Sequence, residues 1–369
     1  MNFDAVIVGG GVIGCAIALE LQKSGLESVL IEKNPFLGEE VSSRNSGVIH
    51  SGIYYPNNSL KNKLTFQGNQ LLYEYALKNN VPFKKTGKII FGLPDEKDKL
   101  LSLYKNGLKN GVKGLTLLEK DQIHELEPNL NSEISNGILS EHTGVIDVPA
   151  LVESLSIQFE NNGGIVTKNS IFKAYKYKHR NHISEIQTGD EVFRIKSKKI
   201  IFSCGLNSYK VGSLIPNIYH SKYLRELNFT KGHYFKIFGF KPFNHLIYPM
   251  PDSHGLGIHY TVDISGAVKF GPDIEFINKL DYSFSRNVKI KFEDSIKKYW
   301  EGVSDYELQE DYVGIRPKIQ SIDSDFVDFS VLSKDHHGID GMLFLQGFES
   351  PGLTCALSLA KYLSQRLDS

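Results

Sequence analysis

Nothing constrains this chain's fold more than its first 33 residues. Phe3-Asp4-Ala5-Val6-Ile7-Val8 is a short run of β-branched and small apolar residues, the pattern of a strand buried on both faces. It meets Gly9-Gly10-Gly11-Val12-Ile13-Gly14 without a spacer. From Cys15 to Lys23 small and apolar residues recur at helical spacing, closed by Ser24-Gly25. Ser28 to Lys33 is a second strand that ends in an acid, Glu32. Strand, glycine turn, helix and strand in about thirty residues make a βαβ unit and commit the chain to a parallel sheet.

The glycines have separate physical tasks. Gly9 permits the tight turn, Gly11 lets backbone approach a pyrophosphate, and Gly14 lets helix pack on strand. The helix start at Val12 and Ile13 offers free N–H groups and a positive dipole end to phosphate. Glu32, with Lys33 beside it, stands where adenosine ribose hydroxyls would come, and an acid there disfavours the 2′-phosphate of NADP. A glycine triplet alone equally marks a structural turn; the flanking strand, helix and acid make it a dinucleotide site. The pattern does not separate FAD from NAD. Ser42 to Tyr55 does: Ser42, Ser43, Asn45, Ser46 and Gly47 can pass close beneath a flat ring and bond a pyrophosphate and ribityl chain. A solvated serine-rich loop does not account for the embedded Val48-Ile49 and Tyr54-Tyr55. The cofactor expected is FAD.

With 369 residues, two interleaved domains are expected. Helices are predicted at Leu60 to Lys78, Pro94 to Asn110, Glu119 to Leu126, Asp147 to Asn161 and Ile290 to Trp300, with a last one from Pro351 to Arg366. Pro82 to Leu93 reads as paired strands joined near Thr86-Gly87, and Ile165 to Ile195 as an antiparallel excursion before the buried strand Lys199 to Ser203. Phe229 to Phe276 suits an antiparallel sheet, and Met342 to Gly347 a strand running into a glycine. The fold class is α/β: a three-layer Rossmann-like FAD domain from residues 1–80, 145–225 and 311–369, and a mainly antiparallel β substrate domain from 81–144 and 226–310.

Other classes are disfavoured. Lys plus Arg and Asp plus Glu each total 42, so no charge excess favours nucleic acid. Cys15, Cys204 and Cys355 stand far apart and suggest neither zinc site nor disulfide framework, and no metal is expected. Asp4 and early glycines argue against a signal peptide, and no apolar stretch suits a bilayer span. A cytoplasmic protein is expected, with peripheral membrane contact left open. His336-His337 reads as a solvated pair in a polar turn.

Asn45 to Tyr55 resembles the L-2-hydroxyglutarate dehydrogenase/oxidase family, within the D-amino-acid-oxidase-like FAD-dependent superfamily. So do His142 to Asp147, Ile247 to Asp252, Gly255 to Thr261, Gly314-Ile315-Arg316-Pro317 and Glu349 to Thr354. The chain departs from the family in being shorter between about Asn287 and Glu310 and in having Gly347-Phe348-Glu349 before Ser350-Pro351. The resemblance implies a glutathione-reductase/D-amino-acid-oxidase fold. It implies cofactor contacts at Cys204 and Gly205 after the buried strand, adenine reading by the backbone of Ile171, and a flavin-facing helix start at Gly352, Leu353 and Thr354. Pro351-Gly352 equally suits the start of a packed helix.

Oxidising a hydroxy acid needs a cation for the carboxylate and a base for the hydroxyl proton. Arg316 is the candidate cation, since a guanidinium grips a carboxylate bidentately. His50 and His259 are the candidate bases. Tyr55, Lys231, His233 and Tyr260 are expected to line the substrate pocket. The expected substrate is a small 2-hydroxy acid, with a 2-amino acid as alternative. Oxygen, a quinone and an electron-transfer protein stay open as the electron acceptor.

Overall fold

In the computed structural model, which describes residues 1–251, 257–319 and 326–367, side-chain alternation along the opening strand sets the layering. Asn2–Val8 sends Ala5 and Ile7 to one face, where they pack with the helices Val12–Lys23, Leu60–Lys78, Val148–Asn161 and Gly352–Leu367. Val6 and Val8 face the other way and meet Phe172, Tyr175, Ile186 and Ile195 of an antiparallel meander. Leu30 against Val29 and Ile31, and Leu343 against Met342 and Phe344, repeat the division. Helices, parallel sheet and meander are thus three layers, each holding apolar side chains away from water at roughly 1.5–3 kcal/mol apiece.

The parallel strands run in the order Ile165–Thr167, Ser28–Ile31, Asn2–Val8, Glu191–Phe202 and Met342–Gln346. Glu191–Phe202 is one continuous strand. Its first half pairs antiparallel with Asn181–Thr188, and its second half runs parallel to the opening strand, with Val6 opposite Ile200. Ile165–Thr167 pairs parallel with Ser28–Ile31, so the antiparallel excursion begins only at Ser170.

The second sheet contains Glu275–Ile277, Asn228–Ile237, Val268–Phe270, Tyr260–Val262, Leu246–Pro249, Lys88–Gly92, Asn136–Ser140 and Leu115–Glu119 in that order. Its pairings are antiparallel except Leu246–Pro249 with Lys88–Gly92. Phe235, Phe243, Phe270, Phe292, Tyr299 and Trp300 fill its core. Two boundaries differ from expectation. Residues 82–93 do not form a hairpin: Phe83–Lys84 joins Val48–Ile49 and Gly144–Ile146 in a small sheet, and Gly87 (φ +65°) turns the chain into the larger one. Gln309–Lys318 pairs with Asn228–Ile237 from Lys236–Gln309 to Asn228–Lys318, so the FAD domain's third segment does not begin at 311. The histidine pair also differs, since His337 is buried and accepts the Ile339 N–H at 3.2 Å.

Candidate active site

All five parallel strands end at one edge, where ligands of open α/β sheets bind. Val8 runs into Gly9, Ile31 into Glu32, Phe202 into Ser203 and Gln346 into Gly347, and all four following residues line a cavity of about 510 Å³. The second sheet, the 41–55 segment, the start of the meander at 170–172, the 207–214 segment and the start of the last helix contribute most of the rest.

The glycine turn behaves as its spacing requires. Gly9 sits at φ +107°, and a Cβ there would stand 2.4 Å from the Ser203 carbonyl oxygen. A Cβ on Gly14 would lie 1.8 Å from the Gly9 oxygen, so Gly14 serves helix–strand packing from behind the cavity. A Cβ on Gly11 would meet only Ser42 Oγ, at 3.1 Å; Gly11, Val12 and Ile13 face the cavity. Ser42 Oγ accepts the Val12 N–H at 3.0 Å, tying the 41–47 loop across the helix start. Asn45 holds that loop in shape, donating to the Ser42 carbonyl at 2.7 Å and accepting from the Gly47 N–H at 2.8 Å. Ser46 Oγ and Tyr234 Oη share a hydrogen bond of 3.0 Å.

Glu32 accepts one backbone N–H at each carboxylate oxygen, from Gly10 at 2.6 Å and Asn34 at 2.8 Å. Burial pushes its carboxyl up, against the downward pull of those two N–H groups. Each oxygen keeps a lone pair for a ribose hydroxyl. Lys33, Asn45, Ser46, Ile171, Cys204, Gly205, Gly352 and Leu353 line the same cavity. A bare glycine turn at a helix start, a buried acid at the next strand end and a second helix start fit FAD, and these are the residues that would hold it.

Several expected contacts lie elsewhere. Ser43 is exposed, its hydroxyl donating to the Glu40 carbonyl at 3.2 Å. Gly47 and Thr354 stand behind the cavity wall. Thr354 Oγ1 accepts the His50 N–H at 3.0 Å, pinning the histidine segment to the last helix. Lys231, His233 and Tyr260 do not reach the cavity. Lys231 Nζ donates to Asp281 at 2.8 Å and to the Ser283 carbonyl at 2.9 Å. His233 binds Asp273 through Nδ1 at 2.8 Å and accepts the Ser285 N–H at Nε2. Tyr260 donates to the Phe243 carbonyl at 3.0 Å. The physical reason is strand parity: Gly232, Tyr234 and His259 face the cavity, so their sequence neighbours face away. Part of the motif preceding His259, residues 252–256, lies outside the described residues.

His50, Tyr54, Tyr55, Tyr248, His259 and Arg316 converge on the cavity. His259 is 3% exposed and stacks on Tyr248, with ring centroids 3.8 Å apart. His50 Nε2 is 3.2 Å from Ser350 Oγ. Among the described residues, Nδ1 of both imidazoles is buried without a partner. Burial first, then the Lys88 ammonium, holds His50 down to about 3. Burial, with the charges of His50, Lys88 and Arg316, holds His259 well below its ordinary range. Both rings are therefore neutral near pH 7, each with an unprotonated nitrogen that can accept a hydrogen bond from a ligand hydroxyl. Arg316 donates to the Asp273 carbonyl at 2.6 Å, which leaves other guanidinium N–H groups for a ligand.

Sequence reasoning missed Lys88. It is fully buried, its ammonium over the rings of Tyr54 (4.5 Å) and Tyr248 (4.7 Å), and burial draws it down to about 7. Only its place in the apolar run Lys88-Ile89-Ile90-Phe91 hinted at this. Lys88 lies behind the cavity wall; Lys61, Lys318 and Glu349 line the cavity and carried no sequence signal except that Lys318 shares strand parity with Arg316.

The neutral histidines set a pH dependence of stability. Burial depresses His182 and His337 to about 4, as it does His50 to about 3. The unfolded chain titrates these groups near 6.5, so it binds protons that the folded chain refuses. Their contribution is present above about pH 6.5 and is lost as pH falls, at most about 1.4 kcal/mol per pH unit for each ring. The urea midpoint should fall from pH 7 to pH 5; a midpoint that holds or rises on acidification refutes the burial assignment.

A family model described as FAD dependent oxidoreductase matches residues 4–366. The chain is 34% identical to "L-2-hydroxyglutarate dehydrogenase, mitochondrial" of Arabidopsis thaliana, covering 98% of this chain and 83% of that protein. It is 28% identical to a glycerol 3-phosphate dehydrogenase of Caloramator mitchellensis, over 98% of this chain and 73% of the other. Among solved structures, the L-alpha-glycerophosphate oxidase of Mycoplasma pneumoniae, with FAD bound, superposes with a TM-score of 0.88 at 24% identity, covering 100% of this chain and 95% of that one. From glycine turn to last helix, the chain belongs to the FAD dependent oxidoreductase family that includes the L-2-hydroxyglutarate dehydrogenases.

Proposed function

We propose that the chain oxidises an L-2-hydroxy acid, with L-2-hydroxyglutarate as substrate and 2-oxoglutarate as product. The observation that carries this reading is two neutral imidazoles, His259 buried and His50 half-buried, and a guanidinium in one cavity beside the glycine turn. The similarity to the Arabidopsis dehydrogenase supports it. Arg316 holds the α-carboxylate. His259, kept in place by its stack on Tyr248, takes the hydroxyl proton, with His50 on the same cavity wall as the alternative base. Bound FAD supplies the hydride acceptor for the α-carbon.

A second reading takes sn-glycerol 3-phosphate, also a secondary alcohol near an anionic group. The relative of that name and the cavity's additional lysines favour it. Anaerobic mixing with 2-hydroxy acids, 2-amino acids and sn-glycerol 3-phosphate, with flavin absorbance as readout, decides among them. Bleaching by L-2-hydroxyglutarate is expected; bleaching only by an amino acid or by the phosphate refutes the first reading.

Arg316→Ala should raise KM for the acid about 100-fold, because a charge-assisted bidentate pair is lost in ground and transition states alike. Steady-state kinetics with an artificial electron acceptor measures this, and an unchanged KM removes Arg316 from the carboxylate.

A further inference from the structure

Lys318 and Arg316 lie two residues apart on Gln309–Lys318, and parity turns both side chains to the same face and into the cavity. Lys61, in the first turn of Leu60–Lys78, lines the same cavity. Glu349 stands between the lysines, its carboxylate 3.3 Å from Lys61 Nζ and 4.0 Å from Lys318 Nζ. These side chains are only 7% (Lys61), 11% (Lys318) and 11% (Glu349) exposed. Asp328, nearby, spends its carboxylate on the backbone N–H groups of Leu60 and Lys61 and does not line the cavity.

Among the described residues, Lys61 and Lys318 therefore share one carboxylate in a largely enclosed space, with the Arg316 charge acting on Lys318. Burying surplus charge is unfavourable unless an anion completes the set. Burial already draws the Lys318 ammonium below its ordinary range, with Glu349 opposing. With Arg316 given to the carboxylate beside the reacting carbon in the function proposed above, the lysines are in surplus among the described residues.

We infer that Lys61 and Lys318 form a second anion subsite that holds the distal carboxylate of a 2-hydroxy dicarboxylic acid, with Glu349 as the resident anion it displaces. The inference rests on the function proposed above. It makes the enzyme selective for dianionic acids and gives Glu349 an unusual sign: its charge competes with substrate.

The test is calorimetry on oxidised holoenzyme with two product-like ligands, 2-oxoglutarate and 2-oxobutyrate, which share the reacting end and differ in the distal carboxylate. Lys318→Gln and Lys61→Gln should each weaken 2-oxoglutarate about 10- to 100-fold, the worth of one charge-assisted hydrogen bond, and leave 2-oxobutyrate unchanged. Glu349→Gln should tighten 2-oxoglutarate and leave 2-oxobutyrate unchanged. Equal weakening of both ligands, or of neither, overturns the subsite, as does looser 2-oxoglutarate in Glu349→Gln. Should Lys61→Gln fail to fold, the other two variants carry the test. If sn-glycerol 3-phosphate alone bleaches the flavin, the proposed function is wrong. The anion subsite then survives only if Lys318→Gln weakens that phosphate and spares glycerol.

Discussion

Gly11→Val is expected to fold and to purify without flavin. Gly11 caps the first helix in an extended conformation (φ −71°, ψ 176°) open to any residue, and an added Cβ approaches only the Ser42 hydroxyl. The new methyls point at the space a pyrophosphate needs, so the loss falls on the cofactor and not on the core. Gly14→Val should do the reverse. Its Cβ would stand 1.8 Å from a backbone oxygen, which no rotamer change relieves, and the strand–helix unit would have to part. The flavin-to-protein absorbance ratio and thermal melting separate the two variants. A fully yellow Gly11→Val protein would mean that the cofactor lies elsewhere.

The imidazole variants should show the largest kinetic effect. Removing a general base slows the chemical step by a factor of roughly 10² to 10⁴, and His259→Ala should slow flavin reduction by that much with FAD retained. His50→Ala should also retain FAD, because its tie to the last helix runs through the backbone N–H to Thr354 and survives the substitution. Rapid mixing with L-2-hydroxyglutarate therefore compares the two rings as bases on equal terms. Parent rates in both variants would leave proton removal to water or to no group at all.

The cofactor end of this site was legible in the sequence because its constraints are local. A turn that brings backbone within 1.8 Å of a would-be Cβ admits only glycine, and that exclusion is written at Gly14 itself. The substrate end is set by partners distant in sequence. Lys231, His233 and Tyr260 are polar residues on strands, but the cavity-facing parity depends on pairings such as Lys231 with Ile315, made by a strand more than eighty residues away. Lys61 reads as a solvated helix lysine, and it becomes a cavity residue only because Glu349 and the rings of Phe326 and Phe329 close over it. Ser43 fails for the opposite reason: it shares the composition of its neighbours, and the Asn45-held loop turns it outward.

Arg316 and Lys318 sit on a strand that pairs with the second sheet, whereas the glycine turn and Glu32 belong to the first. With the roles proposed for Arg316 and Lys318, substrate choice is portable: a short graft on that strand should rewrite which acid is accepted and leave the nucleotide grip alone. The graft has one fixed point. Gly314 lies against the Arg44 carbonyl, 2.4 Å from where its Cβ would be, so an exchanged strand that lacks this glycine would lift its cations out of reach.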